Sequence, residues 1–364
     1  MINKYYINIQ LDEINNAGSK AVNDCNQILK NNGVKPYTLN IKKSGNKYLS
    51  ILNKMIEFEK IKKIEKNSLL FVPHPIYINK KYYIDILKKA KEKRNLKLVF
   101  LIHDLDSLRK MFPESDKEFK HIDDTMYGIA DYVIAHNRRM KDYLIDKGVS
   151  PDKIYELGIF DYLTDCETES KTIKYAKTLN IAGNLDTGKC KYIKELNNLK
   201  KDIQVNLYGP NYDENVLNSE SIHYKGKFPS DEIPYLLDEG FGLVWDGDGI
   251  NGCSGNTGEY LRYNNPHKLS LYMVSGLPVV IWSKAAEAEF VINNKVGVVV
   301  DDINDFNDVF DKIDEKTYYE MVENTKKISE KMRNGRYFID LTESRLQKIL
   351  QETNVLELKE KWIS

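Results

Sequence analysis

The stretch that decides the fold reads GFGLVWDGDG (240–249), GEYLRYNNPHKLSLYMVSGLPVVIW (258–282) and VGVVVDD (296–302). An apolar run typical of a buried strand is followed by a loop rich in Gly and Asn, and a helix then begins at the pair His267-Lys268. A second buried strand follows the turn at 275–278. In an open α/β sheet this order brings backbone N–H groups, a helix N-terminus and a lysine to the carboxyl edge of the strands, where ligands bind. The pattern therefore predicts a site for a diphosphate.

The composition is typical of a soluble globular protein with two domains. A chain of 364 residues is too long for one ordinary core. Its content of 41% hydrophobic and 30% charged residues suits neither a disordered chain nor a membrane-spanning one. The 54 basic and 54 acidic residues give a formal net charge of zero. We therefore expect no nucleic-acid partner.

The cysteines and the N-terminus indicate a cytoplasmic protein, at most at the inner face of the membrane. Four cysteines are scattered without CxxC or metal-binding spacing, at Cys25, Cys166, Cys190 and Cys253. This pattern favours reduced thiols over a disulfide framework or a structural zinc. The first residues, MINKYYINIQ, lack the apolar run of a signal peptide, and no window approaches 18 consecutive apolar residues.

Strands and helices alternate along the chain, which predicts a parallel α/β sheet in each half. The predicted strands are 5–9, 69–72, 97–102, 131–135, 178–182, 203–208, 241–245, 278–281 and 296–300. The predicted organisation is a first Rossmann-like domain (1–160), a linker (161–177), a second Rossmann-like domain (178–335) and a helical tail (336–364). Asn334-Gly335 is predicted to break the helical structure just before this tail. The sequence permits the tail to pack back on the first domain.

The segment 82–94 is predicted to be a helix with one core-facing stripe, because its apolar residues recur at helical spacing. The segment and the two residues just before it are rich in lysine: Lys80, Lys81, Lys88, Lys89, Lys91 and Lys93. They could face an anionic membrane that carries a lipid-linked acceptor. The alternative is an ordinary solvated helix face.

The segment 264–270 is the predicted anion site. Pro266 has a fixed φ that suits the first helical turn, so His267 and Lys268 would lie beside the positive end of the helix. A lysine there adds a point charge worth about 4 kcal/mol towards a phosphate at about 4 Å, with an effective dielectric constant of about 20. The alternative is a plain helix start with its lysine in solvent. The Gly-rich approach and the turn at 275–278 favour the ligand role.

The sequence GEYLRYNNPHKLSLYMVSGLPVV (258–280) resembles the donor-binding segment of bacterial GT-B glycosyltransferases. The nearest group holds the galactofuranosyltransferases of surface-polysaccharide synthesis and the glucosyltransferase 3 enzymes of adhesin glycosylation. IAGNL (181–185), LYG (207–209) and LIHDLDSLR (101–109) are similar to the same group. The resemblance implies the GT-B fold, which is an α/β fold of two Rossmann-like doubly wound domains that face a central cleft.

The resemblance also implies where the substrates bind. The second domain would hold the nucleotide diphosphate and the first domain the acceptor, while the first Gly-containing loop reaches the diphosphate. Together with the segment at 264–270, the candidates for UDP binding are Asn16, Gly18, Asn184, Tyr208, Gly209, Asn265, His267 and Lys268. Leu271 stands where many GT-B enzymes place a glutamate one turn into the helix, so their sugar contacts do not carry over to this chain.

The sequence from Gly183 to Cys190, GNLDTGKC, supports a rival interpretation. It matches the P-loop pattern GxxxxGK[ST] except that Cys190 replaces the Ser or Thr, and it follows a predicted strand and opens a predicted helix. A thiol is a poor ligand for Mg²⁺, and the motif follows a complete α/β half. A P-loop ATPase or kinase is thus the second candidate function. The same turn could instead offer its N–H groups to a UDP phosphate.

Two acidic pairs, Asp104-Leu105-Asp106 and Asp246-Gly247-Asp248, match the DxD motif of the manganese-dependent, single-domain GT-A glycosyltransferases. Because 54 of the 364 residues are acidic, about eight such pairs are expected by chance. Two α/β halves do not suit the GT-A fold either. We therefore predict no metal site and no cofactor, with a UDP-sugar as the donor substrate.

The catalytic base of an inverting transfer must take a proton from the acceptor hydroxyl. His103 and Asp104 end a predicted strand of the first domain, at an edge that faces the cleft. His74 and His136 end neighbouring strands and compete for this role, although a histidine at a strand end is often a structural hydrogen-bond partner. Our prediction is Asp104 as the base, with His103 in contact with substrate. A retaining transfer would need no such base.

The predicted function is that of a metal-independent glycosyltransferase that moves a hexose from a UDP-sugar to a carbohydrate acceptor with inversion. By resemblance the sugar is galactofuranose or glucose, and the acceptor is a glycan, lipid-linked or on a glycoprotein, in surface polysaccharide or glycoprotein glycan synthesis. A third candidate is a non-catalytic sugar-nucleotide-binding subunit of a glycosylation complex. The 24 Tyr and 12 Phe leave room for self-association into a homo-oligomer.

Overall fold

The computed structural model describes residues 2–11, 17–41, 45–78, 80–168, 170–188, 190–200 and 202–343. These residues form two six-stranded sheets, and every strand pairing in both sheets is parallel. We call residues 2–156 the first lobe and residues 174–333 the second lobe. No helix in the described ranges combines the length and the apolar character needed to cross a bilayer.

The first lobe has the strand order β2-β1-β3-β4-β5-β6. Its strands are β1 (Lys4–Leu11), β2 (Lys35–Ile41), β3 (Leu69–His74), β4 (Lys97–Ile102), β5 (Tyr132–Ala135) and β6 (Ile154–Glu156). Its helices are α1 (Ala17–Asn31), α2 (Lys47–Glu59), α3 (Lys80–Arg94), α4 (Asp106–Arg109), α5 (Asp116–Ile129) and α6 (Arg138–Asp146). The strand order reverses at β1, so the switch point lies between β1 and β3.

The second lobe repeats this architecture with the order β12-β11-β10-β7-β8-β9. Its strands are β7 (Lys174–Ala182), β8 (Gln204–Tyr208), β9 (Ile222–Gly226), β10 (Glu239–Val244), β11 (Val279–Trp282) and β12 (Gly297–Val300). Its helices are α7 (Tyr192–Glu195), α8 (Ile233–Leu236), α9 (Gly255–Tyr260), α10 (His267–Val274), α11 (Ala288–Asn294), α12 (Asp305–Phe310) and α13 (Glu315–Arg333). The switch point of this sheet lies between β7 and β10.

The central strands are buried on both faces, as their apolar runs predict. In β3, Leu70 packs into one hydrophobic cluster while its neighbours Leu69 and Phe71 pack into another on the opposite face. In β4, Leu98 and Val99 alternate between the same two clusters. This alternation follows from the period of two along a strand, and it explains the continuous apolar runs in these two strands.

Each of the nine predicted strands is confirmed, with the largest difference at β7, which begins at Lys174 inside the predicted linker. Three strands were not predicted: β2, β6 and β9. All three lie at the edge of a sheet. An edge strand is partly exposed, so its sequence lacks the continuous apolar run that identifies a central strand.

The segment between the lobes, residues 157–173, is irregular but packed. Phe160, Asp161 and Tyr162 are all buried, and the Asp161 carboxylate accepts hydrogen bonds from the N–H groups of Tyr337 (3.2 Å) and Phe338 (2.8 Å). The helical tail follows a break at 334–335, where the sequence predicts one. Phe338 is buried in a cluster of first-lobe side chains that includes Tyr6, Ile28 and Phe71.

Direct hydrogen bonds join the two lobes beside the carboxyl ends of the first-lobe strands. The Leu105 N–H donates to the hydroxyl of Tyr260 over 2.8 Å, and the Tyr260 ring is buried among first-lobe side chains. The amide of Asn256, in the same helix α9, donates to the Lys110 carbonyl over 2.9 Å. The loop and helix that follow β10 therefore cross from the second lobe to the first.

Candidate functional site

The centre of the candidate site is Lys268, which lies at the switch point of the second sheet. Its ammonium is 3.4 Å from the carbonyl oxygen of Trp245, the residue that follows β10. A Cβ atom at Gly183, the residue that follows β7, would lie 3.4 Å from the Lys268 Cε. Ligands of open α/β sheets bind in the crevice where the strand order reverses. The structure therefore places a cation at the position where such a ligand binds.

The charge of Lys268 is secured by its neighbours. Burial is the largest single effect and disfavours the charged ammonium, but Asp246 together with Cys190, Tyr272 and Cys253 outweighs it and raises the pKa of Lys268 above its usual value. The Asp246 carboxylate follows β10 and also accepts a 2.7 Å hydrogen bond from the Gly247 N–H. Lys268 is in the first turn of α10, whose leading N–H groups have no partner within the helix. Pro266 is the N-cap residue of this helix, just before the turn that the sequence predicts for it.

Two glycines open the floor of the site. The Gly183 N–H donates to the Tyr208 carbonyl over 2.9 Å, which holds the ends of β7 and β8 together. Gly209 has φ +147°, and a Cβ atom there would lie 1.8 Å from the Gly183 carbonyl oxygen. Only glycine fits such an approach, so backbone rather than side chains forms this surface.

Asn184 and Tyr208 flank this floor in different ways. Asn184 is exposed, and its side-chain oxygen accepts hydrogen bonds from the Asp186 N–H (3.1 Å) and the Asn211 amide (2.7 Å). Tyr208 is 6% exposed and belongs to the second-lobe core. Burial raises the pKa of Tyr208 to about 12. Asn184 is thus exposed beside the glycine floor, while Tyr208 supports that floor mainly through its backbone.

The turn from Gly183 to Cys190 differs from a P-loop. Its predicted helix is the single turn α7, which begins only at Tyr192. The Asp186 carboxylate accepts a 2.8 Å hydrogen bond from the Gly188 N–H, so an acidic side chain occupies one of the donors that a P-loop would offer to phosphate. Lys189, the lysine of the motif, lies outside the described residues. This geometry disfavours the rival interpretation.

Asn265 lies in the junction between the lobes. It is 5% exposed, and its side-chain amide donates to the carbonyls of His136 (2.8 Å) and Gly158 (3.0 Å). Its side-chain oxygen accepts a 2.7 Å hydrogen bond from Asn137. The side-chain nitrogen and oxygen of Asn265 are both engaged in these hydrogen bonds, so Asn265 helps to hold the second lobe against the first.

His267 faces the segment between the lobes. Its ring stacks on Tyr162 at 4.9 Å, and its Nε2 atom is 3.4 Å from the Asp161 carbonyl oxygen. Burial lowers the pKa of His267 to about 4, so the ring is neutral at physiological pH. The neighbouring residues His267 and Lys268 therefore have different surroundings, and only Lys268 lies at the switch point.

The first Gly-containing loop is described only in part. Asn16 lies outside the described residues, and Gly18 is in the first turn of α1. Two residues further on, the Lys20 ammonium donates to the Leu163 carbonyl (2.6 Å) and pairs with Asp231 of the second lobe (3.0 Å). The start of α1 is therefore held against the second lobe.

Two of the three strand-end histidines in the first lobe are structural. His74 is buried, with its Nε2 atom 2.7 Å from Asp123 and its Nδ1 atom 3.3 Å from the Tyr83 hydroxyl. His136 accepts a 2.9 Å hydrogen bond at Nδ1 from the Asn265 N–H, and its Nε2 atom is 2.9 Å from the Ile102 carbonyl oxygen. In both rings each nitrogen therefore already has a hydrogen-bond partner within the protein.

His103 differs from these two because both its ring nitrogens are shielded from solvent and have no hydrogen-bond partner. The ring stacks on Phe160, with centroids 5.5 Å apart and an interplanar angle of 11°. Burial lowers the pKa of His103 to about 3, so the ring is neutral and can donate one hydrogen bond and accept another. A buried polar group without partners is rare and needs an explanation, of which a ligand that supplies the missing bonds is one.

Asp104 is held by an arginine that sequence reasoning missed as a partner. Arg109 forms ion pairs with Asp104 (2.9 Å) and with the buried Asp106 (2.7 Å), and it donates to the Tyr77 hydroxyl over 2.9 Å. Burial raises the pKa of Asp104 to about 6, although Arg109 opposes the shift. The spacing of Asp106 and Arg109, three residues apart, is the signal that could have revealed the pair.

The acidic pairs are bound by basic side chains or backbone. Arg109 holds Asp104 and Asp106, while Asp248 pairs with Lys191 at 3.2 Å. Within the described ranges no group of three or more His, Cys, Asp or Glu side chains is placed to hold a metal ion.

Segment 245–260 connects the two parts of the site. It starts at Trp245, whose carbonyl contacts Lys268, and it ends at Tyr260, whose hydroxyl accepts from Leu105 beside Asp104. Segment 245–260 therefore links the surroundings of Lys268 in the second lobe to those of Asp104 in the first.

Two solved structures match this architecture over nearly their whole length. The Anabaena protein HepE, in complex with UDP-glucose, matches with a TM-score of 0.59 and 11% identity over 95% of this chain and 99% of that one. The sucrose-phosphate synthase of Thermosynechococcus elongatus matches with a TM-score of 0.65 and 12% identity over 96% of this chain and 100% of that one. At these identities the likeness shows the fold, which is the predicted GT-B fold.

Sequence relatives define the family. Residues 3–159 match the glucosyltransferase 3-like N-terminal domain, and residues 179–344 match the corresponding C-terminal domain. The β-1,6-galactofuranosyltransferase WbbI of Escherichia coli (strain K12) is 39% identical over 250 residues, which is 68% of this chain and 70% of that one. The chain belongs to the glucosyltransferase 3-like family, and it is a glycosyltransferase.

Proposed function

We propose that this glycosyltransferase moves a hexose, galactofuranose or glucose, from a UDP-sugar to a carbohydrate acceptor, with inversion and without a metal ion. The two sugars are those named for the relative WbbI and for the family. The observation that carries the proposal is the position of Lys268 between the ends of β7 and β10.

On the donor side, the diphosphate of UDP lies on the open floor at Gly183 and Gly209. The Lys268 ammonium and the first N–H groups of α10 offset the charge that develops on UDP as the bond to the sugar breaks. Asn184 contributes a polar contact at the rim. This arrangement performs the role that a divalent cation has in metal-dependent transferases, which supports a metal-independent reaction.

On the acceptor side, Asp104 takes the proton of the attacking hydroxyl while the new bond forms at the anomeric carbon. A carboxyl pKa of about 6 suits a base that works near neutral pH, since it is deprotonated there and yet more basic than an ordinary aspartate. His103 positions a sugar hydroxyl through its two unpartnered ring nitrogens. These roles apply to an inverting transfer, in which attack and departure occur on opposite faces of the sugar.

The test is UDP release from UDP-galactofuranose and UDP-glucose in the presence of glycan acceptors, with EDTA present throughout. We expect release from one of these donors, and NMR of the product should show the anomeric configuration opposite to that of the donor. Retained configuration would refute inversion, and a requirement for added metal would refute metal independence. UDP binding without release from any donor would instead favour a non-catalytic subunit.

A further inference from the structure

Helix α2 carries its apolar side chains on the outside of the protein. Twelve large apolar side chains are exposed among the described residues, and five of them lie on this one helix. These five are 41–84% exposed: Tyr48, Leu49, Ile51, Leu52 and Ile56. Exposed apolar side chains gathered in one place mark an interaction surface, whereas single ones are normal.

The geometry of α2 arranges these side chains in one stripe. Tyr48, Leu52 and Ile56 are spaced by four residues, so they lie one above the other on consecutive turns. Another side of the helix faces the protein, where the Glu57 carboxylate accepts a 2.9 Å hydrogen bond from the Asn40 N–H of the edge strand β2. The buried Phe58 anchors the end of the helix. We call Tyr48, Leu49, Leu52 and Ile56 the α2 stripe.

The surroundings of the α2 stripe are strongly basic. Residues 47–94 contain thirteen Lys or Arg and five Asp or Glu, although the whole chain has a formal net charge of zero. Helix α3 adjoins the end of α2, where the Tyr82 hydroxyl donates to Glu59 over 2.8 Å. Lys62 lowers the pKa of Glu59 and Lys89 of α3 adds to this effect, so the charge of Lys89 acts at the C-terminal end of α2. Among the α3 side chains whose exposure the structure describes, the exposed lysines are Lys81, Lys88, Lys89 and Lys93.

We propose that the α2 stripe inserts into the interface of a bilayer with anionic headgroups, while the neighbouring lysines bind those headgroups. An apolar stripe on an amphipathic helix with adjacent basic side chains has the features of an interfacial membrane helix. The surface lies at the β2 edge of the first sheet, so binding leaves the crevice between the lobes open. This inference goes beyond the proposed reaction and does not depend on it.

A second copy of the chain fits this surface less well. A helix of thirteen residues is about 20 Å long, so a stripe about 10 Å wide covers roughly 200 Å². A standard interface buries about 800 Å² on each partner. A two-fold pairing through α2 would also bring the lysines of both copies together. An anionic bilayer complements both the apolar stripe and the charge.

The test is co-sedimentation of the full chain with vesicles of equal parts phosphatidylcholine and phosphatidylglycerol, compared with vesicles of phosphatidylcholine alone. We expect binding to the mixed vesicles that is at least about tenfold stronger and that weakens at high salt. The double substitution L52S/I56S should reduce binding by about tenfold or more, because it removes two of the four apolar side chains of the stripe. Ile292→Ser is the matched control, since Ile292 is 55% exposed on α11 of the second lobe, and it should bind like the wild type.

A second measurement keeps the proposal falsifiable if L52S/I56S folds poorly. Tyr48 is 84% exposed, so Tyr48→Trp should fold normally and should show quenching by brominated lipid beyond that of the wild type. Absence of binding to the mixed vesicles, or absence of this quenching, would overturn the proposal. So would an oligomer in light scattering that dissociates in L52S/I56S without any vesicle binding, because the partner would then be a second copy.

Discussion

Removing the charge of Lys268 while keeping its volume is the most direct test of the donor site. Lys268→Met retains the stem that packs near Gly183 but loses the ammonium at the end of β10. A unit charge about 4 Å from a phosphate charge is worth about 4 kcal/mol at an effective dielectric constant of about 20. Asp246 already interacts with the ammonium, so only part of this energy is available to UDP. We therefore expect a loss of about 1.4–2.8 kcal/mol, which weakens UDP binding about tenfold to a hundredfold.

Calorimetry with two ligands makes this prediction specific to the diphosphate. UDP should lose affinity for Lys268→Met, whereas uridine, which lacks the phosphates, should bind the variant and the wild type equally. Lys194→Ala is the matched control, because Lys194 is an exposed lysine of the same lobe and its loss should leave both affinities unchanged. An unchanged UDP affinity in Lys268→Met would refute the proposed site. An equal loss for uridine and UDP would show that the substitution damages the lobe rather than a phosphate contact.

Three other substitutions test the first lobe and the junction. The proposed base Asp104 must be deprotonated to act, and its pKa is about 6, so kcat/KM should fall as the pH drops through 6. Arg109 lowers this pKa, so Arg109→Gln should move the acid limb of the pH profile to higher pH. An acid limb that does not move would contradict the assignment of Asp104 as the base. His103→Phe keeps the stacking on Phe160 but removes the unpartnered nitrogens. We expect kcat/KM to fall about tenfold while the melting temperature stays equal or rises. A lower melting temperature with unchanged kinetics would indicate a structural role for His103. Asn265→Ala leaves the buried hydrogen-bond partners of Asn265 unpaired in the junction between the lobes. The melting temperature should fall by about 5 °C or more, with little change in UDP affinity. A large loss of UDP affinity by calorimetry in a fully stable variant would instead place Asn265 at the ligand.

The fold could be predicted from the sequence where burial on both faces produces an uninterrupted apolar run. The central strands β3, β4 and β10 are of this kind, and each was identified. The edge strand β2 was missed because only Leu39 and Ile41 of its residues are buried, which leaves too weak a signal. The one-turn helix α9 was missed because its six residues are too short to show a period, although Tyr260 within it joins the lobes.

The candidate site could be predicted only as far as strand ends determine position. Lys268 and Asp104 follow from the rule that the carboxyl ends of parallel strands face a common crevice. That rule does not say which polar atoms are already bonded, because the partners come from the other lobe. Asn265 and Lys268 are three residues apart, yet the first faces the junction and the second the switch point. Their difference depends on the packing of the two lobes, which local sequence does not encode.

The three strand-end histidines show what the structure adds to such a prediction. In the sequence, His74, His103 and His136 each follow an apolar run and are indistinguishable. In the fold, Asp123 and Tyr83 bind the first, and the junction binds the third, which leaves only His103 without partners. An unpartnered buried polar group costs about 1–3 kcal/mol, so a phenylalanine at this position would stabilise the protein. A histidine at this costly position, beside the proposed base, is understandable if the substrate supplies its hydrogen bonds. A His103→Phe variant that is stable but slow would show that His103 lowers the stability of the protein and raises its turnover.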